Sequence, residues 1–277
     1  MENENKLPDQ TQQRLARIKE YEEKGGEAYF LDVDDNPPTK TLMPNDVDYL
    51  KKKLSSKFRN LISRRIIRKM LTNFAKTHNI KVEGIENLKN LKTGAVITTN
   101  HFHYFDSAPI VYAFKQEKIK KKMHIVIREG NYQIPGLFGY LLKNYYTFPL
   151  SSNMKTTINL NHAIDTVLKK KEFVLVYPEQ AMWWKYRKPR LYRIGAYRWA
   201  VRNNVPILPC FVTMEDGETI EEDGLAAQNL TLHIGKPLYA DKELPLKEAA
   251  EKLLAENHDF CVDVYEKTYN LKYEINE

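Results

Sequence analysis

The residues best placed to do chemistry follow a short apolar run. Residues 95–99 read as a buried strand, and the chain then passes straight into Asn100-His101-Phe102-His103-Tyr104-Phe105-Asp106. An imidazole that titrates near neutrality can take a proton from a hydroxyl, and a nearby carboxylate can hold its tautomer and stabilise the imidazolium. His101 and Asp106 lie five residues apart, close enough to meet across a turn. Plainer roles compete. Asp106 stands just before Ser107-Ala108-Pro109, where a side-chain oxygen can cap a helix. His101 and His103 can be loop histidines with local partners. They can also begin a metal site, but few further ligands accompany them, and no metal is expected.

A second concentration of polar groups follows the run at 173–177. Pro178-Glu179-Gln180 comes first, then Met182-Trp183-Trp184-Lys185-Tyr186-Arg187-Lys188-Pro189-Arg190. A carboxylate just past a buried strand is a site candidate, or a turn glutamate serving local amides. Two tryptophans beside four cations suit lipid head groups, a phosphate pocket or an aromatic tunnel, or else a loop that packs its tryptophans inward. Arg128-Glu129-Gly130 ends another strand run, and Ile134-Pro135-Gly136-Leu137-Phe138-Gly139 beyond it could wall a site. Pro206 and Pro209 bracket a further apolar run and suggest an entry turn, since proline is awkward inside a central strand.

These loops need a scaffold that brings them to one edge. Short β-rich runs fall at 95–99, 124–128, 173–177, 207–213 and 230–234. Helical patterns lie between them, at about 107–117, 135–143, 155–171 and 193–203, and a last one spans about 245–270. Such alternation predicts an α/β fold, a mixed and largely parallel sheet flanked by helices. Its chemistry gathers beyond the strand C-termini. Three parts are expected: an acidic arm at 1–45, a basic helical segment at 46–82 and an α/β domain at 83–277. The arm has a short charged helical stretch and a turn-rich run containing Pro37, Pro38 and Pro44. It is assigned no function.

Charge is segregated along the chain. Residues 1–48 hold 6 Lys/Arg and 12 Asp/Glu, whereas residues 49–82 hold 11 Lys/Arg and no acid. In the basic block, Leu54, Phe58, Ile62, Ile66, Met70 and Phe74 recur every fourth residue, broadened by Leu61, Ile67 and Leu71. That is an amphipathic basic helix. It either rests on an anionic membrane through Lys57, Arg64, Arg65, Arg68 and Lys69, or packs its stripe on the core with a solvated basic face. No nucleic-acid motif accompanies it, and no nucleic-acid partner is expected. The two cysteines, Cys210 and Cys261, exclude a disulfide scaffold. No run of 18 apolar residues is present, and the polar N-terminus lacks an apolar signal core. A peripheral location on the cytoplasmic face of a membrane is expected.

Taken together, the loops resemble the glycerolipid acyltransferases of the lysophosphatidic acid acyltransferase type. That family's first motif is His, four residues, then Asp, usually after Asn; here it is Asn100-His101 through Asp106. Its third motif, Phe-Pro-Glu-Gly, reads Tyr177-Pro178-Glu179-Gln180. Its fourth, a proline-bracketed strand entry, reads Val205-Pro206-Ile207-Leu208-Pro209. The second motif matches weakly around Phe148. The likeness covers roughly residues 50–240, and three motifs in order are fairly specific.

The resemblance implies transfer of a fatty acyl group from acyl-CoA or acyl carrier protein to a hydroxyl of a lysolipid or related acceptor, with no cofactor. His101 would deprotonate the hydroxyl and Asp106 would orient His101. Asn100, Arg128, Glu179, Gln180, Trp183, Trp184, Arg187, Lys188 and Arg190 would line the substrate site. The chain also departs from the pattern. Ser151 stands where the family closes its second motif with arginine, and Gln180, Ala181 and Met182 replace the glycine and a hydroxyl-arginine pair. Either Arg128, Arg187, Lys188 or Arg190 substitutes for that phosphate clamp, or the acceptor differs. A non-catalytic lipid- or carrier-binding protein of the same fold is the alternative.

Overall fold

A computed structural model describes residues 7–36 and 39–276. Pro37 and Pro38, expected in the arm's turn, and the first six residues lie outside the described residues.

Seven strands form one sheet: β1 (Lys81–Glu83), β2 (Ala95–Thr98), β3 (Met123–Ile127), β4 (Thr147–Pro149), β5 (Phe173–Val176), β6 (Ile207–Ile220) and β7 (Ala226–Ile234). Their order is β1-β7-β6-β2-β5-β3-β4. Every pairing is parallel except that of β6 with β7. This is the mixed, largely parallel sheet expected. The helices are α1 (Asp9–Lys24), α2 (Leu54–Thr77), α3 (Ile85–Lys89), α4 (Ala108–Gln116), α5 (Gly136–Asn144), α6 (Met154–Lys169), α7 (Gly195–Asn203) and α8 (Leu246–Tyr269).

Two apolar layers sandwich the sheet, and strand alternation assigns residues to them. Ala95 and Ile97 of β2 join Ile67, Leu71 and Phe74 of α2 and Ile110 and Phe114 of α4 on one face. Val96, between them in sequence, joins Leu160 and Ile164 of α6, Tyr197 of α7 and Leu253 of α8 on the other. Residues 95–97 are fully buried, as expected for a central strand covered on both sides.

Four features differ from the expectations. β1 at Lys81–Glu83 pairs with β7, so the sheet begins before the expected domain boundary. β4 is three residues long, too short to leave a periodic signal. Pro209 lies inside β6, opposite Thr98, and its carbonyl accepts from the Gly235 amide at 2.8 Å. β6 also runs on to Ile220, and its outer half forms a hairpin with β7 that projects past the parallel sheet.

The every-fourth stripe on α2 is not one face. A four-residue step turns a helix by about 40° beyond a full turn, so five steps carry a side chain about 200° around the axis. Phe74 is therefore in the core, while Leu54 is 83% and Phe58 65% exposed. The inward face at that end is polar instead: Asn60 and Ser63 are buried, with Asn60 donating to the Asn144 carbonyl at 2.8 Å. Lys51 is not part of the basic helix face. It lies before α2, buried, with Nζ donating to the Lys143 carbonyl at 3.0 Å near the end of α5.

The arm packs against the sheet's active edge. Ile18, Tyr29 and Val33 form a small cluster with Ala181 and Trp183 of the loop after β5.

Candidate active site

β2 ends at Thr98, and the chain turns outward through Thr99 and Asn100. Asn100 is buried. Its side chain exchanges bonds with Val212, donating to the carbonyl at 3.0 Å and accepting from the amide at 2.8 Å. This locks the loop root to β6. Asn100 was expected to line the substrate site; here both ends of its amide bond the Val212 backbone.

Beyond that anchor, His101 Nδ1 bonds Asp106 Oδ2. Asp106 is buried, and its other oxygen, Oδ1, accepts from the Tyr177 hydroxyl at 2.5 Å. The Tyr177 ring also stacks on the His101 ring, with centroids 4.2 Å apart and planes 20° apart. Burial, then the Asp106 charge, pushes the Tyr177 phenol well above its ordinary pKa, so it remains a donor. No described residue bonds His101 Nε2, and 20% of the side chain stays exposed. The result is a held imidazole with one nitrogen on a carboxylate and the other open, suited to accept a proton from a hydroxyl. Tyr177 was not singled out from sequence as a site residue; its signal was a tyrosine ahead of the Pro-Glu pair.

Glu179 secures the same loop from behind. It is 2% exposed. Oε2 accepts from the His101 amide at 3.0 Å and from Arg190 Nη2 at 2.8 Å, and Oε1 accepts from the Arg190 amide at 3.2 Å. Arg190 is also buried, donating to the carbonyls of Tyr29 and Ala181, with its guanidinium 4.6 Å over the Trp183 ring. Both were expected to line the substrate site; in the structure the pair holds main chain. Gln180 sits at φ +63°. That region favours glycine, which accounts for the glycine of the resembled motif.

The loop after β5 is zipped to the His101 loop. Trp183 N donates to His101 O and Lys185 N to Phe102 O, each at 3.0 Å. Residues 79–213 match the family model described as Acyltransferase. That segment is similar to the acyltransferase family. The chain is 25% identical over 188 residues to the chloroplast 1-acyl-sn-glycerol-3-phosphate acyltransferase LPAT1 of Arabidopsis thaliana, a match covering 66% of this chain and 50% of that protein. The chain thus spans about half the length of that curated relative. A solved 1-acyl-sn-glycerophosphate acyltransferase, PlsC, from Thermotoga maritima is similar at a TM-score of 0.49 and 18% identity, covering 76% of this chain and 85% of that one.

The loops around His101 do not present the expected phosphate-binding cations freely. Arg128 bonds Asp32 and Asn36 of the arm. Arg187 bonds Asp216 at 2.6 Å and Gln228 at 3.1 Å, and Lys188 bonds Glu22 at 2.9 Å. Lys185 pairs with Glu221 at 2.7 Å and Asp223 at 2.9 Å. All of these acids belong to the arm or to the β6–β7 hairpin, both distant in sequence. Ser151, at the place of the family's arginine, donates to the Leu42 carbonyl and to Glu129, each at 2.9 Å.

Neither tryptophan faces outward. Trp183 is fully buried against Tyr29, with Nε1 donating to the Leu31 carbonyl at 2.9 Å. Trp184 donates to Asp223 at 2.7 Å and packs 4.6 Å from His103 and 4.4 Å from the Arg14 guanidinium. His103 lies among Phe74, Phe105 and Trp184 and accepts from the Phe105 amide at 3.0 Å. Burial, then the nearby charges of His78 and Lys185, pushes it down to about 3, so it is neutral. No described residues form a group of three or more His, Cys, Asp or Glu able to hold a metal ion.

Proposed function

We propose that the chain transfers a fatty acyl group from acyl-CoA or acyl carrier protein to a hydroxyl of a lysophospholipid or related acceptor. The observation that carries this reading is the bond from His101 Nδ1 to buried Asp106, which leaves Nε2 open within a domain that matches the acyltransferase family. His101 Nε2 takes the hydroxyl proton as the oxygen attacks the thioester carbonyl carbon. The tetrahedral intermediate collapses, the C–S bond breaks, and the imidazolium returns the proton to the leaving thiolate. Asp106 holds the tautomer and offsets the positive charge.

A covalent acyl-cysteine route has no support. Cys210 and Cys261 are buried, and burial raises both thiols, Cys261 to about 12. The name of the Arabidopsis relative makes 1-acyl-glycerol-3-phosphate the first acceptor to test. A phosphate beside the loop after β5 would have to displace Asp216 from Arg187 or Glu22 from Lys188. Acceptors without a phosphomonoester therefore belong in the same panel.

The reading includes a peripheral membrane site on the cytoplasmic face. Leu54 and Phe58 of α2 and Leu137 of α5 are exposed, α2 packs on α5, and Lys57, Arg65, Arg68 and Lys69 are exposed on α2. Apolar side chains ringed by cations suit an anionic interface. Among the described residues, no helix is long and apolar enough to cross a membrane.

The test is thiol release from acyl-CoA and acyl carrier protein with a panel of lysolipids on anionic vesicles. Turnover is expected from the unaltered chain and is expected to vanish in His101→Ala with the circular dichroism unchanged. Absence of turnover with either donor across the panel refutes the enzyme and leaves a lipid- or carrier-binding protein.

A further inference from the structure

The loops after β2 and β4, residues 99–107 and 150–153, contain no lysine or arginine. The loop after β3 contributes Arg128, which bonds Asp32. The loop after β5 contributes five cations, and each is paired: Lys185 with Glu221 and Asp223, Arg187 with Asp216, Lys188 with Glu22, Arg190 with Glu179 and Arg193 with Glu27. Among the described residues, these four loops therefore offer no unpaired cation beside His101. Lys185 holds two carboxylates, so acids outnumber cations even before Asp106 is counted.

The two members of each pair come from different parts of the chain. All of these cations fall within residues 79–213, the segment similar to the acyltransferase family. Glu179 aside, every acid falls outside it. Glu22, Glu27 and Asp32 come from the arm, and Asp216, Glu221 and Asp223 from the β6–β7 hairpin. The arm also reaches the His101 loop at Tyr104, whose hydroxyl accepts from Arg14 at 2.8 Å and donates to Asp34 at 3.2 Å. Arg14 and Asp34 pair with each other at 2.6 Å, so this tether adds no free charge.

Charge decides what such an edge can receive. A phosphomonoester carries about −1.5 to −2 charge at neutral pH. To reach a cation here it must displace a carboxylate, which stays tethered beside it and repels it. The side chains of Lys185 and Arg190 are 6% and 1% exposed and are closed to such exchange. Arg193 is held by the arm twice, by Glu27 and by the Phe30 ring 3.6 Å away. Exchange is left to Arg128, Arg187 and Lys188, all partly exposed. A head group with no net negative charge meets none of this. It can bring a hydroxyl to His101 Nε2 with every pair intact. Discrimination of this kind comes from groups that repel the wrong partner.

Resting on the acyl-transfer reading, we infer that the acceptor is a lysolipid whose head group carries no net negative charge. Asp32, Asp216 and Glu22 are the residues that set this preference. They occupy Arg128, Arg187 and Lys188 and so exclude a phosphomonoester.

The test is calorimetric binding of three hexanoyl lysolipids to the full chain without acyl donor: monohexanoylglycerol, hexanoyl lysophosphatidylcholine and hexanoyl lysophosphatidic acid. Their short chains keep the probes monomeric, so attachment to a membrane does not enter. At least one of the first two should bind about tenfold tighter than the third, and which of them does separates an uncharged from a zwitterionic head group. In the triple variant Asp32→Asn, Asp216→Asn and Glu22→Gln, the affinity ratio should shift about tenfold or more toward lysophosphatidic acid, because charge-assisted bonds become open to its phosphate. Partly exposed ion pairs contribute little to stability, so the variant should keep its circular dichroism. Should it lose its fold, Asp32→Asn and Asp216→Asn are read singly. Pairs with a structural role alone would leave the ratio where it was. The inference is overturned if lysophosphatidic acid binds the unaltered chain as tightly as the better of the other two, if no probe binds, or if the variants leave the ratio unmoved. Turnover with the same probes, once acyl donor is added, tests the acyl-transfer reading separately. The expected binding preference without thiol release refutes that reading and leaves the exclusion of phosphomonoesters standing.

Discussion

The Tyr177 hydroxyl donates at 2.5 Å to Oδ1 of Asp106, the oxygen that His101 leaves free. A carboxylate shared between a phenol and an imidazole is a weaker acceptor toward each than it would be toward either alone. Tyr177→Phe keeps the ring stacked on His101 but removes that donor. Asp106 then loses one of the two groups that fix its orientation, and kcat should fall severalfold with KM little changed. An unchanged kcat would reduce Tyr177 to a packing residue.

Glu179 and Arg190 form a buried ion pair, with side chains 2% and 1% exposed. Removing one partner strands the other charge, at a cost of about 3–5 kcal/mol. Arg190→Met and Glu179→Leu should each lower the denaturation midpoint sharply, and the double variant should recover much of that loss. Turnover should stay low in the double variant, because the His101 amide has lost its Glu179 acceptor. Full recovery of activity would show that this bond does not position the His101 loop.

Tyr29 stacks on Trp183 at 5.6 Å and supplies the carbonyl that Arg190 Nη1 bonds at 2.8 Å. The arm is thus part of the domain's stability and not an appendage. Tyr29→Ala should cost on the order of 3 kcal/mol, like other large-to-small aromatic truncations. Removing everything before Pro37 should red-shift tryptophan emission as Trp183 meets water. Unchanged emission and midpoint would contradict that role.

Charge reversal at Arg64, Arg65, Arg68 and Lys69 should weaken binding to anionic vesicles by up to about 1 kcal/mol per residue at low salt. Leu54→Ser with Phe58→Ser should weaken it at high salt as well, since apolar burial is not screened. Sedimentation with vesicles reads both. Equal binding by all variants would leave α2 as a structural helix with a solvated face.

Burial holds His103 down to about 3 and lowers His78 as well. Both folded-state values lie below the unfolded histidine value of about 6.5. Between those values the unfolded chain binds more protons, so stability is present above pH ~6.5 and is lost as pH falls below it. The thermal midpoint should therefore decline between pH 7 and pH 5. His103→Gln should flatten that decline. A midpoint that stays level over this range, or rises, would contradict neutral burial.

Much of the architecture was legible along the chain because its signals are local. The runs at 95–99 and 173–177 lie close to β2 and β5, and the patterns at 107–117 and 155–171 lie close to α4 and α6. β4 escaped notice because three residues cannot show a period. The α2 stripe misled because a strict fourfold spacing drifts around a helix instead of following one face.

What the sequence by itself determined is the set of covalent neighbours: a histidine five residues before an aspartate, directly after a strand that had to be buried, and a glutamate directly after another. Those facts survive any packing, because strand C-termini of a parallel sheet share one edge. What the tertiary structure alone decided is the employment of each charge. Arg128, Arg187 and Lys188 read as free cations in one dimension, yet Asp32, Asp216 and Glu22 reach them from 96, 29 and 166 residues away. Ion pairing depends on distance through space, and no local pattern of residues encodes that separation.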